Sequence, residues 1–183
     1  MKKVLDLTNT MEFPPLMSKK EIEAIQDALF YISRSKQPHN PFTIVELGCY
    51  SGGTTIIMAK TIPEAKIYAI DIFAINGSDI RDFVISKRFP ECKNIELLEM
   101  TTVEASRVVP DGFDFIFIDA DHQQDSIERD CDNWLPKLKS GGIVVFDDYN
   151  NDDFPAIAPV VESRTTGWKI YGQHDTIMIK IKP

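Results

Sequence analysis

A chain of 183 residues is long enough for one well-buried α/β domain and short for two. A hydrophobic share of 43% and a mean hydropathy of −0.16 exclude wholesale disorder, and no apolar run approaches the roughly 20 residues of a membrane helix. A net charge of −8 argues against a nucleic-acid backbone as the main partner, since that binding rests on Lys and Arg neutralising phosphates; the expected ligand is a small molecule.

The Met1-Lys2-Lys3 start is followed by no long apolar region, so no signal peptide is expected and the expected location is cytoplasmic. Cys49, Cys92 and Cys131 are odd in number and far apart, which reads as reduced core thiols and not as a zinc site.

Residues 1–17 carry Pro14-Pro15 without a clear period and read as an arm or lid. Ser18-Lys19-Lys20-Glu21 is a capping box, and Ile22, Ile25, Ala28, Leu29 and Ile32 follow at helical spacing, giving a helix over 18–36. After the breaker at Pro38 to Pro41, Thr43 to Leu47 is a short buried strand that runs into Gly48-Cys49-Tyr50-Ser51-Gly52-Gly53, with a helix from Thr54 to about Thr61. Lys66 to Asp71 is a second strand, 79–89 a helix with Ile80, Phe83 and Val84 inward, and 94–99 a third, more polar strand suited to a sheet edge. Residues 113–119 and 142–147 are the fourth and fifth strands, separated by a helix near 125–138 that buries Ile127, Cys131, Trp134 and Leu135.

This alternation predicts one doubly wound domain: a mostly parallel, Rossmann-like sheet with right-handed crossovers and helices on both faces, its core spanning 43–183. Beyond Tyr149 a polar loop and a short helix punctuated by Pro155 and Pro159 lead to Trp168–Tyr171 facing Asp175–Ile181, an antiparallel hairpin that closes the sheet.

Two apolar runs end abruptly in acids, Phe113 to Asp119 and Ile143 to Asp147. In open α/β sheets ligands bind at the carboxyl edge, so Asp119, Asp121, Asp147 and Asp148 should lie close together and need a positive partner, a metal ion or a cationic ligand. The plainer alternative is that each acid caps the helix that follows it. The turn after the first strand, G-x-x-x-G-G, suits a nucleotide-containing cofactor whose ribose Asp71 could hold. It departs from the G-x-G-x-x-G fingerprint, which makes room for a pyrophosphate, and this weighs against a nicotinamide-dependent oxidoreductase.

Val45-Glu46-Leu47-Gly48-Cys49-Tyr50-Ser51-Gly52-Gly53-Thr54 followed by Ile70-Asp71 resembles motifs I and II of class I S-adenosylmethionine-dependent methyltransferases. Ile118-Asp119-Ala120-Asp121-His122, the Pro136 to Gly142 segment and Phe146-Asp147-Asp148-Tyr149 are similar to metal-dependent small-molecule O-methyltransferases. These include the catechol and caffeoyl-coenzyme A groups and, by the Asp-Asp-Tyr ending, the macrolide and aminocoumarin sugar O-methyltransferases. The resemblance implies that Glu46, Gly48, Tyr50, Ser51 and Gly52 line the methionine end of S-adenosylmethionine, that Asp71 holds the ribose, and that the adenine lies near Ile72 and Thr101-Thr102.

It also implies Asp119, Asp147 and Asp148 as acids for Mg²⁺ or another divalent cation, with Asp119 touching the cofactor half as well. The catalytic base implied is Asp121 or His122; catechol-type enzymes carry a lysine where His122 stands. Residues 1–17 and 149–164, with Phe13, Tyr149, Asn150 and Phe154, would form the wall around a hydroxyl-bearing substrate. A homodimer belongs to the same resemblance. His39 and His174 read as surface residues. A module that binds the cofactor without turnover is the remaining rival.

Overall fold

The computed structural model describes residues 12–35, 41–74 and 77–183. Helix α1 (Lys19–Arg34) starts at the capping box foreseen above: Ser18 Oγ accepts from Glu21 N–H, and Glu21 accepts in return from Ser18 N–H. The remaining elements are β1 (Thr43–Leu47), α2 (Gly53–Thr61), β2 (Lys66–Asp71), α3 (Gly77–Phe83), β3 (Ile95–Glu99), α4 (Thr102–Val108), β4 (Phe113–Ile118), α5 (Gln124–Trp134), β5 (Leu138–Phe146), α6 (Ile157–Arg164), β6 (Lys169–His174) and β7 (Ile177–Ile181). The seven strands form one sheet in the order β3-β2-β1-β4-β5-β7-β6, with β7 antiparallel to both of its neighbours. The polar third strand sits at an edge.

Helices cover both faces. Ala24, Ile25, Ala28 and Leu29 of α1, with Met58 and Ala59 of α2, pack on Ile44, Phe115, Phe117 and Val145. The opposite face joins Val45, Ile116, Val144 and Phe146 to Ala105 of α4, Ile127 and Trp134 of α5, and Val160 and Val161 of α6. Every residue of β4 is buried, including Asp114, whose carboxylate is held by Lys139 Nζ at 2.9 Å and by Thr43 N–H at 2.9 Å. Burial of each large apolar side chain here stabilises by about 1.5–3 kcal/mol. Among the described residues no helix is long and apolar enough to cross a membrane.

Three readings change. The segment between β3 and β4 holds α4, which was not foreseen; Thr101 and Glu104 form a second capping box at its start. The helix expected to run to 138 stops at Trp134, because Pro136 has no N–H for an α-helical bond, and a 3₁₀ turn (Leu135–Lys137) delivers the chain to β5. The expected helix over 79–89 is divided into α3, a π-helical turn (Val84–Arg88) and a 3₁₀ turn (Phe89–Glu91). His39 and residues 1–11 of the expected arm lie outside the described residues. Cys49 and Cys131 are buried free thiols, whereas Cys92 is only partly covered.

Candidate active site

The register of the sheet explains why the acids meet. Leu47 pairs with Ile70 on one side and Ile118 on the other, and Ile118 pairs with Phe146. The next residue on each strand is therefore Asp71, Gly48, Asp119 and Asp147, one row at the carboxyl edge. The ladder continues into that row: Gly48 N–H donates to Ile70 O, Asp119 N–H to Leu47 O and Asp147 N–H to Ile118 O. Strand alternation puts the side chains of such a row on one face, shared with Glu46 two residues earlier.

On the cofactor side, Asp71 is fixed by the turn it faces. Tyr50 N–H donates to Asp71 Oδ2 at 2.7 Å and Phe73 N–H to Asp71 Oδ1 at 2.6 Å, so the carboxylate is locked against the glycine turn with lone pairs left over for hydroxyl donors. Ser51 is buried, Gly52 has φ +73° at the start of α2, and Ile72 lies 53% exposed beyond Asp71. Thr101 caps α4, and Thr102 beside it donates its hydroxyl to Asp130. Gly53 has no room for a side chain, because a Cβ there would stand 2.6 Å from Pro15 N. Arg88 holds the same crossing segment by donating to Phe13 O and Glu12 O at 2.7 and 2.9 Å. Residues 12–17 thus lie across the turn.

Glu46 is buried beneath the row and accepts a hydrogen bond from the Thr55 hydroxyl. Burial pushes its carboxyl up from 4.5 to about 8, with Asp119 and Asp71 adding repulsion. A carboxyl whose folded pKa lies above its unfolded one keeps its proton longer in the folded state, so its contribution to stability is full below about 4.5 and is lost as pH rises to about 8. The unfolding midpoint should fall between pH 5 and pH 8, and Glu46→Gln should flatten that fall. Thermal melts at three pH values check this; an unchanged slope in the variant would count against it.

On the other side, burial raises Asp119 to about 6, with repulsion from Asp148 and Asp71 adding to it, and Asp147 to about 8, with repulsion from Asp119 and Asp148 adding to it. Asp147 Oδ1 accepts from Asp148 N–H at 2.9 Å, and Asp148 itself adopts φ +52°, a left-handed turn that Asp tolerates. One atom each from Asp119, His122 and Asp148 lies within 4.8 Å of the others. The His122 ring stacks on Phe154 with centroids 4.2 Å apart.

Asp121 is placed differently. Its Oδ2 accepts from the Ser126 hydroxyl at 2.6 Å and its Oδ1 from Gln123 N–H at 3.2 Å, an Asx turn leading into α5, and the Ser126 bond holds its pKa below the usual range. Tyr149 turns away onto α6, donating its hydroxyl to Glu162 Oε1, which also takes the buried Lys180. Asn150 is exposed, Phe13 packs edge-on against Phe83, and His174 is exposed on β6. Glu21 was legible only as part of a cap, yet its second oxygen accepts from Thr176 N–H and hydroxyl at 2.8 and 2.7 Å, directly behind Asp147.

A doubly wound sheet of this order, with a glycine turn and an acid-rich carboxyl edge, defines a Rossmann-like methyltransferase fold. The chain belongs to the methyltransferase domain family, whose model matches residues 45–149. A protein of Acanthamoeba polyphaga mimivirus is 26% identical over 126 residues, covering 65% of this chain and 57% of that relative, so the match spans little more than half the relative's length. The structure is similar to that of the O-methyltransferase NovP, with a TM-score of 0.74 at 17% identity over 92% of this chain and 81% of that one. It is also similar to the TDP-rhamnose 3'-O-methyltransferase of calicheamicin biosynthesis, with a TM-score of 0.67 at 16% identity over 96% and 89%. At such identities the likeness speaks for the fold, and the acceptor has to be argued from the site.

Proposed function

We propose that the chain methylates a hydroxyl group of a small molecule, a sugar, a catechol or a related metabolite, with the assistance of a divalent cation. The observation that carries this reading is the crowding of Asp119, Asp147 and Asp148 at the strand ends, one row along from the glycine turn. Asp119 and Asp147, which burial drives toward neutrality, stand beside Asp148 and the His122 nitrogen, a set that fits a divalent cation. S-adenosylmethionine would supply, when bound, a sulfonium methyl group, and the cation would make an acceptor hydroxyl more acidic.

The chain's own residues would do the positioning. The Gly48 to Gly53 turn and Asp71 hold the cofactor, residues 12–17 and Phe154 keep water from the cleft, and the acids orient the acceptor oxygen for in-line attack. The sulfonium methyl group would pass to the acceptor oxygen, with the proton of that hydroxyl going to a base and the electron pair of the broken bond staying on sulfur. Of the two base candidates, only His122 faces the acids; Asp121 serves α5.

The test is calorimetry with S-adenosylhomocysteine, with and without Mg²⁺, followed by a screen of catechols, sugars and glycosylated metabolites for labelled methyl transfer before and after EDTA. Binding together with EDTA-sensitive transfer is expected. Binding with no transfer to any acceptor would favour the module without turnover, and EDTA-resistant transfer would remove the cation from the reading.

A further inference from the structure

Resting on the cation-assisted reading, we infer that His122 Nε2 is itself a ligand of the cation together with Asp119 and Asp148, and that the site selects a transition metal such as Mn²⁺ or Co²⁺ over Mg²⁺. The geometry is that of groups facing a shared centre. His122 Nε2 stands 2.8 Å from Asp148 Oδ2 and 3.7 Å from Asp119 Oδ1. It is closed off from solvent, and at these distances neither carboxylate meets it with full hydrogen-bond geometry. A nitrogen in an ion pair points at its acceptor. Ligands of one ion point past each other at the ion, and with bonds of about 2.1 Å adjacent ligand atoms stand about 3 Å apart.

The surroundings hold this arrangement. Stacking on Phe154, with 18° between the planes, fixes the plane of the imidazole. The left-handed backbone of Asp148 and its N–H bond to Asp147 Oδ1 turn the Asp148 carboxylate toward the ring. Asp147 is thereby left beside the three ligands as the acid that orients one of them.

The donor set decides the metal. Mg²⁺ prefers oxygen ligands alone, whereas imidazole nitrogen favours later divalent ions along the rising order Mn²⁺, Fe²⁺, Co²⁺ and Ni²⁺. A nitrogen bound to metal has no lone pair for a proton, so this assignment replaces a base role for His122.

Metal-stripped protein would be titrated calorimetrically with MgCl₂, MnCl₂ and CoCl₂, in wild type, His122→Gln and Asp148→Asn. Bound Mn²⁺ would also be examined by electron spin-echo spectroscopy, which needs no variant. The inference expects nitrogen modulation from a coordinated imidazole, Co²⁺ bound at least about tenfold tighter than Mg²⁺, and a comparable loss of Co²⁺ affinity in His122→Gln with Mg²⁺ little changed. Mn²⁺ bound without nitrogen modulation, or Co²⁺ and Mg²⁺ affinities that ignore His122→Gln but fall in Asp148→Asn, would overturn it while leaving cation-assisted transfer intact. Failure of wild type to bind any of the three ions would overturn both.

Discussion

Gly48→Ala should yield little folded protein, and any that folds should not bind S-adenosylhomocysteine. Gly48 has φ +83°, and a Cβ built on it would stand 1.9 Å from Asp119 O and 2.8 Å from Ala120 Cα. Those are backbone atoms. They cannot retreat without breaking the Asp119 N–H bond to Leu47 O that joins β4 to β1. The left-handed conformation alone costs a non-glycine residue about 1–2 kcal/mol, and relief of the clash adds enough to pass about 4 kcal/mol in total. That is a large part of the roughly 5–15 kcal/mol that holds a domain together. Gly141→Ala is the control, since its φ of +74° is similar but nothing lies within 4 Å of its Cβ. Thermal melts of the two variants separate backbone conformation from contact: Gly141→Ala should lose a few degrees, and a Gly48→Ala protein as stable as Gly141→Ala would refute the argument.

The same contact shows what the sequence could and could not convey. Acids at the ends of buried strands were legible because a run such as Phe113 to Ile118 can be nothing but a central strand, and its end has to lie at the sheet's edge. That Gly48 is required by Asp119 was not legible, since their contact depends on β1 and β4 being neighbours, a long-range pairing. Helix α4 was missed for a different reason: its seven residues carry too little apolar period, and the local signal that was present, Thr101 followed by Glu104, is a cap pattern that a polar stretch disguises. Lys180 alternates with isoleucines as a solvent-facing residue would, yet it is 1% exposed, because α6 covers that face and provides Glu162 and Thr165 for its ammonium. Alternation reports a strand. It does not report what lies on each side of it.

The orientation of Asp121 is another case, and it bears on the second large effect. Asp119→Asn should lower methyl transfer by about 10³-fold or more, because it removes charge from the centre of the acid row where the cation and the acceptor oxygen would be held. S-adenosylhomocysteine affinity should change far less, since Tyr50, Asp71 and the glycine turn are untouched. Asp121→Asn, two residues on, should behave as the loss of a local turn: about 1 kcal/mol of stability and at most a few-fold in turnover. The two substitutions are chemically identical and close in sequence, so the difference between them measures orientation alone. Asp119 extends the row that includes Asp147, whereas Asp121 spends both oxygens on the start of α5. Single-turnover transfer rates and calorimetric affinities on the two variants decide it. Equal losses would return Asp121 to the role of base and leave Asp119 as one acid among several.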